Sequence, residues 1–104
     1  MTSSTTSLSG EFTVAPEHPA LAGHFPGNPV VPGVLILAHV LAGVRPRWPV
    51  QEPLMVRQVK FSSPLRPGES CRIDYRSGRA RELRFECHAG DRLIASGQLG
   101  PESP

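Results

Sequence analysis

Cysteine and aromatic residues are both scarce in this chain of 104 residues, which has two Cys, one Trp, one Tyr and four Phe. Cys71 and Cys87 form neither a CxxC pair nor a metal-ligand spacing, which argues against a disulfide framework and against a zinc module. Both read as strand residues carrying reduced thiols, and no metal or cofactor is called for. The longest apolar stretch, Val30 to Val44, falls short of the ~20 residues that a membrane span needs and is interrupted by Pro32 and His39. No membrane association is expected. The N-terminal Met1 to Ser9 is rich in Ser and Thr and lacks the charged start and apolar run of a secretory signal, so a cytoplasmic protein with a floppy leader over 1–9 is expected. Runs of one charge sign are also missing. The net charge of +2 reflects arginines and a lysine spread through the second half, among them Arg57, Lys60, Arg66, Arg72, Arg76, Arg79, Arg81 and Arg84. No nucleic-acid module pattern accompanies them, so a solvated sheet face or an acidic protein partner fits better than nucleic acid.

Proline, in contrast, is abundant where it matters. His24-Phe25-Pro26-Gly27-Asn28-Pro29-Val30-Val31-Pro32-Gly33 places three prolines within ten residues. Each locks its own φ and pushes the residue before it toward extended geometry. His24 is thereby expected in a preorganised turn, with an ordinary pKa of about 6.5 that suits proton transfer near neutrality. Gly33 then opens an apolar helix that runs to about Val44, where its N–H is an unpaired donor at the positive end of the helix dipole. A carbonyl oxygen would be bound well there, and the absent side chain allows close approach. The same residues also fit a plain loop histidine beside a buried helix.

The rest of the chain reads as strands. Glu11 to Val14 alternates as a short first strand, and Ala15-Pro16 ends it. Val34 to Val44 is apolar on nearly every face and is expected to be wrapped by protein on most sides, ending at Gly43, Pro46 and Pro49 with Trp48 over the exit. Strands follow at Met55 to Phe61, Ser70 to Arg76, Leu83 to His88 and Leu93 to Leu99, separated by turn residues at Arg66 to Glu69, Gly78 to Arg81 and Gly90-Asp91. The fold class is α+β: one strand, one central helix, then an antiparallel meander curled around it. A single domain over 10–100, a disordered tail over 101–104 and a dimer that adds to a modest core are expected.

His18-Pro19 followed by Gly23 through Leu35 resembles the active-site segment of hot-dog-fold 3-hydroxyacyl-acyl-carrier-protein dehydratases of the FabA/FabZ type. The resemblance continues more loosely through Val59-Lys60-Phe61 and Pro64 to Glu69. It implies a hot-dog fold, an acyl carrier protein as partner and a composite site in a dimer. It further implies that His24 is the base for the proton next to the thioester carbonyl, and that the Gly33 N–H holds that carbonyl. Phe25, Val34 and Ala38 fall at substrate-facing positions of the same pattern.

One member of the pattern is missing. Counted without gaps from Pro32-Gly33, the helical Glu or Asp that assists loss of the 3-hydroxyl falls on Ala38. His39 is the next residue, but one helical step turns about 100°, so it should point elsewhere, into the core or a subunit interface. A homodimer would then hold two sites that lack the acid. A heterodimer with an acid-bearing relative would hold one complete site. The leading reading is a dehydratase-type subunit, with Arg57, Lys60 and Arg66 as candidates for contact with an acidic carrier protein. A non-catalytic partner subunit is the alternative, and an acyl thioesterase ranks behind it because the helix offers no carboxylate to activate water.

Overall fold

A computed structural model describes residues 7–21, 30–44, 54–77 and 82–101. His24 and Phe25 lie outside these residues, as do 1–6, Pro46, Trp48 and Pro49, 78–81 and 102–104.

The sequence folds as β1 (Ser7–Thr13), a 3-10 turn at Pro19–Leu21, α1 (Gly33–Val44), β2 (Leu54–Phe61), β3 (Ser70–Ser77), β4 (Leu83–Ala89) and β5 (Arg92–Pro101). This is the expected α+β, hot-dog architecture. All five strands form one antiparallel sheet in the order β1-β3-β4-β5-β2. Period-two alternation is cleanest in β3 and β4, where Cys71, Ile73 and Tyr75, and Leu83, Phe85, Cys87 and Ala89, are buried while the residues between them face outward. Ile94, Ala95 and Leu99 of β5 complete the inner face. Inside it the two thiols meet. A hydrogen bond to Cys71, reinforced by burial, pushes the Cys87 thiol up, so it stays protonated at neutral pH.

Three expectations need correction. β1 begins at Ser7, so Ser7 to Ser9, assigned to the leader, pair instead with Arg76 to Asp74 of β3. The four strands after the helix are not one meander: β3, β4 and β5 are, but β2 lies at the far edge beside β5, and residues 62–69 carry the chain across to β3. Alternation along a strand says which face is inward and nothing about which strand lies alongside. The crossing is anchored by Ser62 N donating to Ile94 O at 2.8 Å, Val31 N to Leu65 O at 2.8 Å and Gly68 N to Val14 O at 2.8 Å. Glu69 closes its end by accepting from Arg66 N at 2.9 Å and Arg92 Nη2 at 2.7 Å. Those bonds hold the Glu69 carboxyl below its ordinary range.

The third correction concerns α1. Within one chain only the Ile36, Val40 and Val44 stripe is buried, at the i, i+4, i+8 spacing of a single helix face. Leu35, Leu37 and Leu41 are partly buried against the core. Val34, Ala38 and Ala42 are exposed along another face. The chain covers one side of a helix that is apolar all round.

The helix is located by a polar contact inside the core. Tyr75 of β3 donates its hydroxyl to the carbonyl of Val40 at 2.7 Å. Gly43 leaves the space for it, because a methyl at that position would overlap the Tyr75 hydroxyl. Gly43→Ala is therefore expected to cost about 1–3 kcal/mol of unfolding free energy as an overpacked core substitution. In a Tyr75→Phe background, itself about 0.5–1.5 kcal/mol less stable, the added cost should shrink because the clashing oxygen is gone. Urea unfolding of the four proteins measures this, and a Gly43→Ala cost that stays the same in the Tyr75→Phe background would refute the contact.

Candidate active site at the start of the helix

The site is built from the first residues of α1. Pro32 O accepts from Leu35 N at 3.0 Å and Ile36 N at 3.3 Å, so helical bonding begins one residue before Gly33. The amides of Gly33 and Val34 precede the first helical donor and have no acceptor within the helix. They lie at its positive end, where partial negative charge is stabilised. The approach is fixed too, since Val31 N is bonded to Leu65 O.

Beside Gly33 opens a cleft of about 400 Å³ whose apolar wall includes Val31, Ile36, Phe61 and Leu65 and whose polar edge carries Ser62 and Ser63. Phe61, the last residue of β2, presses its ring tip against Gly33. A methyl at Gly33 would come within 2.7 Å of Cζ. Glycine is needed there for the ring as much as for a ligand. A donor amide at the rim of a mostly apolar cleft can bind a carbonyl oxygen and pack the chain attached to it.

The residues singled out from sequence divide between two places. Gly33 lines the cleft. Val34, 78% exposed, and Ala38, one turn further on, share the exposed helix face outside it. His24 and Phe25 lie outside the described residues. Among the three cationic candidates for a carrier protein, Arg57 donates to Pro101 O, Lys60 is exposed on β2 and Arg66 is exposed on the crossing segment. Other arginines belong to a solvated sheet face: Arg76 stands opposite Arg84, and Arg72 pairs with Asp74 at 3.1 Å. Sequence reasoning did not assign Phe61, Ser62 or Ser63 to the site. Their only signal was position, an aromatic closing a strand immediately before Ser-Ser-Pro. The crossover that brings them to Gly33 is not legible in strand periodicity.

His39 turns away from the Ala38 face. Its ring stacks on Phe12 of β1 with centroids 4.1 Å apart and planes 6° from parallel. Burial, and then the charge of His18, hold its pKa below 6.5. It is not placed to stand in for an acid at position 38. Among the described residues no group of three or more metal-ligating side chains occurs, and no helix is long and apolar enough to cross a membrane.

The antiparallel sheet with a single helix against it is the hot-dog architecture, and the start of that helix lines an apolar cleft. Residues 1–98 match the ApeI-like family, described as ApeI dehydratase, and the chain belongs to that family. It is 36% identical to the 3-hydroxyacyl-[acyl-carrier-protein] dehydratase FabZ of Thermomicrobium roseum, over 69% of this chain and 54% of that protein. It is 33% identical to the FabZ of Caulobacter sp. strain K31, over 89% of this chain and 66% of that protein. The chain thus spans between about half and two thirds of the length of these relatives. In three dimensions it is similar to a chain of the dehydratase heterocomplex ApeI:P from Xenorhabdus doucetiae, with a TM-score of 0.71 and 23% identity over 90% of this chain and 85% of that one, which shows the shared fold.

The His39 environment yields a pH dependence with a definite sign. A pKa lowered on folding means that the unfolded chain takes up the proton first, so stability falls as pH drops below 6.5 toward the folded value and levels off beneath it. His39→Phe keeps a ring on Phe12 and removes the proton. The loss of unfolding free energy between about pH 7.5 and pH 5.5 should be smaller in the variant than in the parent. Equal losses in urea titrations at the two pH values would contradict the assignment.

Proposed function

We propose that this chain is a subunit of a 3-hydroxyacyl thioester dehydratase whose substrate is carried on an acyl carrier protein, and that its own site lacks the proton donor. The observation that carries the reading is the helix-start residue Gly33 lining an apolar cleft, together with Ala38 where the family pattern has a carboxylate. The Gly33 N–H stabilises the negative charge developing on the thioester oxygen, which acidifies the adjacent C–H. His24 takes that proton. The C–O bond at the third carbon then breaks as a carbon–carbon double bond forms, and the departing hydroxyl must receive a proton to leave as water. Ala38 cannot supply one, and His39 faces β1.

A second subunit is the natural source. Val34, Met55 and Phe61 are large apolar residues left 78%, 46% and 47% exposed, and among the described residues no strand pairs with the outer edge of β2. An open sheet edge and exposed large apolar side chains are features that a second subunit can cover. Pairing through them would bring the 34/38/42 helix face against the neighbouring subunit. In an assembly with a relative bearing Glu or Asp at the position matching Ala38, one complete site forms from His24 and Gly33 of this chain and the acid of the other. A homodimer would rely on water and run slowly. Two free, buried thiols fit a cytoplasmic setting.

A second reading is also supported by Ala38: the chain serves as a structural partner, and the active site is the relative's own. Co-expression with an acid-bearing relative separates the two. If this chain contributes the base, His24→Ala abolishes the activity that co-assembly gains, and Ala38→Glu raises homodimer activity by a part of the ~10²- to 10⁴-fold that an assisting acid contributes. Dehydration of a 3-hydroxyacyl-carrier-protein substrate, followed by mass spectrometry, is the measurement. His24→Ala without effect in every assembly would reject the catalytic reading in favour of the structural one.

A further inference from the structure

We infer that Arg92 is a positioning residue for the Gly33 cleft and that it fixes, from outside, the cleft wall formed by residues 61–65. The inference rests on the reading of that cleft as an acyl-thioester site. Arg92 opens β5 directly after the turn at Gly90-Asp91, where Gly90 takes a left-handed φ of 61° and Ala89 pairs across to Arg92. Its side chain springs from a paired hairpin and does not itself line the cleft. One guanidinium nitrogen, Nη2, donates both to Pro64 O at 3.2 Å and to Glu69 Oε1 at 2.7 Å. Glu69 Oε1 also accepts from Arg66 N at 2.9 Å. A single cationic group thus ties two points of the crossing segment, 64 and 69, to the start of β5.

The bond at Pro64 falls in the middle of the wall. On one side of it Ser62 N and Ser63 N donate to Ile94 O at 2.8 and 3.4 Å, and on the other Leu65 O accepts from Val31 N at 2.8 Å. Those bonds run from backbone to backbone, whereas the one at Pro64 comes from a side chain. The proline ring fixes φ of residue 64, so a held carbonyl restrains the ψ that is left free. Because the peptide unit is planar, the same bond orients the link that reaches Leu65 Cα. Leu65 then sets its side chain, 1% exposed, in the cleft wall and its carbonyl on Val31, two residues before Gly33. Arg92 acts on the cleft through Pro64 and Leu65 and not by touching substrate. The Arg92 and Glu69 side chains are 43% and 33% exposed, a setting in which an ion pair adds little to global stability. Losing Arg92 should loosen the wall and leave the fold standing.

Amide hydrogen exchange and calorimetric binding of crotonyl-pantetheine, both on the assembly in which the chain purifies, test the brace in the parent, Arg92→Ala and Arg92→Lys. In Arg92→Ala the Val31 and Ser62 amides should exchange about 3- to 10-fold faster, while those of Ile73 and Phe85 in the core strands keep the parent rates. Affinity for the thioester should fall by about 3- to 10-fold, because binding must then order a wall that the parent holds in place. Arg92→Lys keeps a cationic donor for the same two acceptors and should lie between parent and Arg92→Ala in both measurements. If Arg92→Ala does not fold, Arg92→Lys and Glu69→Gln carry the test. Unchanged exchange at Val31 and Ser62, equal acceleration of the core amides, or a loosened wall with undiminished affinity would overturn the proposal. A wall that loosens in Arg92→Ala while the parent binds no thioester would instead reject the acyl-thioester reading of the cleft and leave the brace in place.

Discussion

Two close approaches between a glycine and an aromatic side chain hold α1 to its sheet. At the start of the helix the Phe61 ring lies against Gly33, and near its end the Tyr75 hydroxyl occupies the space that a side chain on Gly43 would need. Between them Tyr75 reaches the carbonyl of Val40 and the Ile36, Val40 and Val44 stripe seals the core. The geometry of the helix start depends on this seating. Gly33 and the Phe61 ring lie side by side in the lining of one cleft at the helix start.

The crossing from β2 to β3 is the second element of that construction. It places Phe61, Ser62, Ser63 and Leu65 around the first turn of α1, and the crossing segment is tied down by backbone bonds to Ile94, Val31 and Val14. The Glu69 carboxylate joins the segment to Arg92 at the start of β5. The cleft is thus framed by two separate parts of the chain, 30–36 and 61–65, and not by a single motif. Its rigidity comes from hydrogen bonds whose partners are distant in sequence, each worth about 1 kcal/mol net but jointly restricting one short segment.

The other side of α1 has a different status. An apolar helix with one stripe buried and Val34, Ala38 and Ala42 open is an incomplete solution for a single chain. Among the described residues the outer edge of β2 likewise has no partner strand. The chain belongs to the ApeI-like family, and Ala38, onto which the resemblance counts the family's helical acid, lies on the same open helix face. The open helix face and the position of Ala38 on it are two features of one surface.

Much of this was legible in the residues themselves. Pro32-Gly33 and the uniform apolarity beyond it set the first helical residue, since proline fixes the entry and glycine opens the turn, and period-two alternation marked the inward residues of β3 and β4. That the family's helical acid falls on Ala38 came from the resemblance, counted without gaps from Pro32-Gly33. The sequence alone could not reveal that β2 sits beside β5, that Phe61 meets Gly33 or that His39 stacks on Phe12. Each is a contact between segments far apart in the chain, and local periodicity carries no information about which segment lies next to which. The strands' faces were determined locally; their neighbours, and with them the walls of the cleft, were decided only when the sheet closed around the helix.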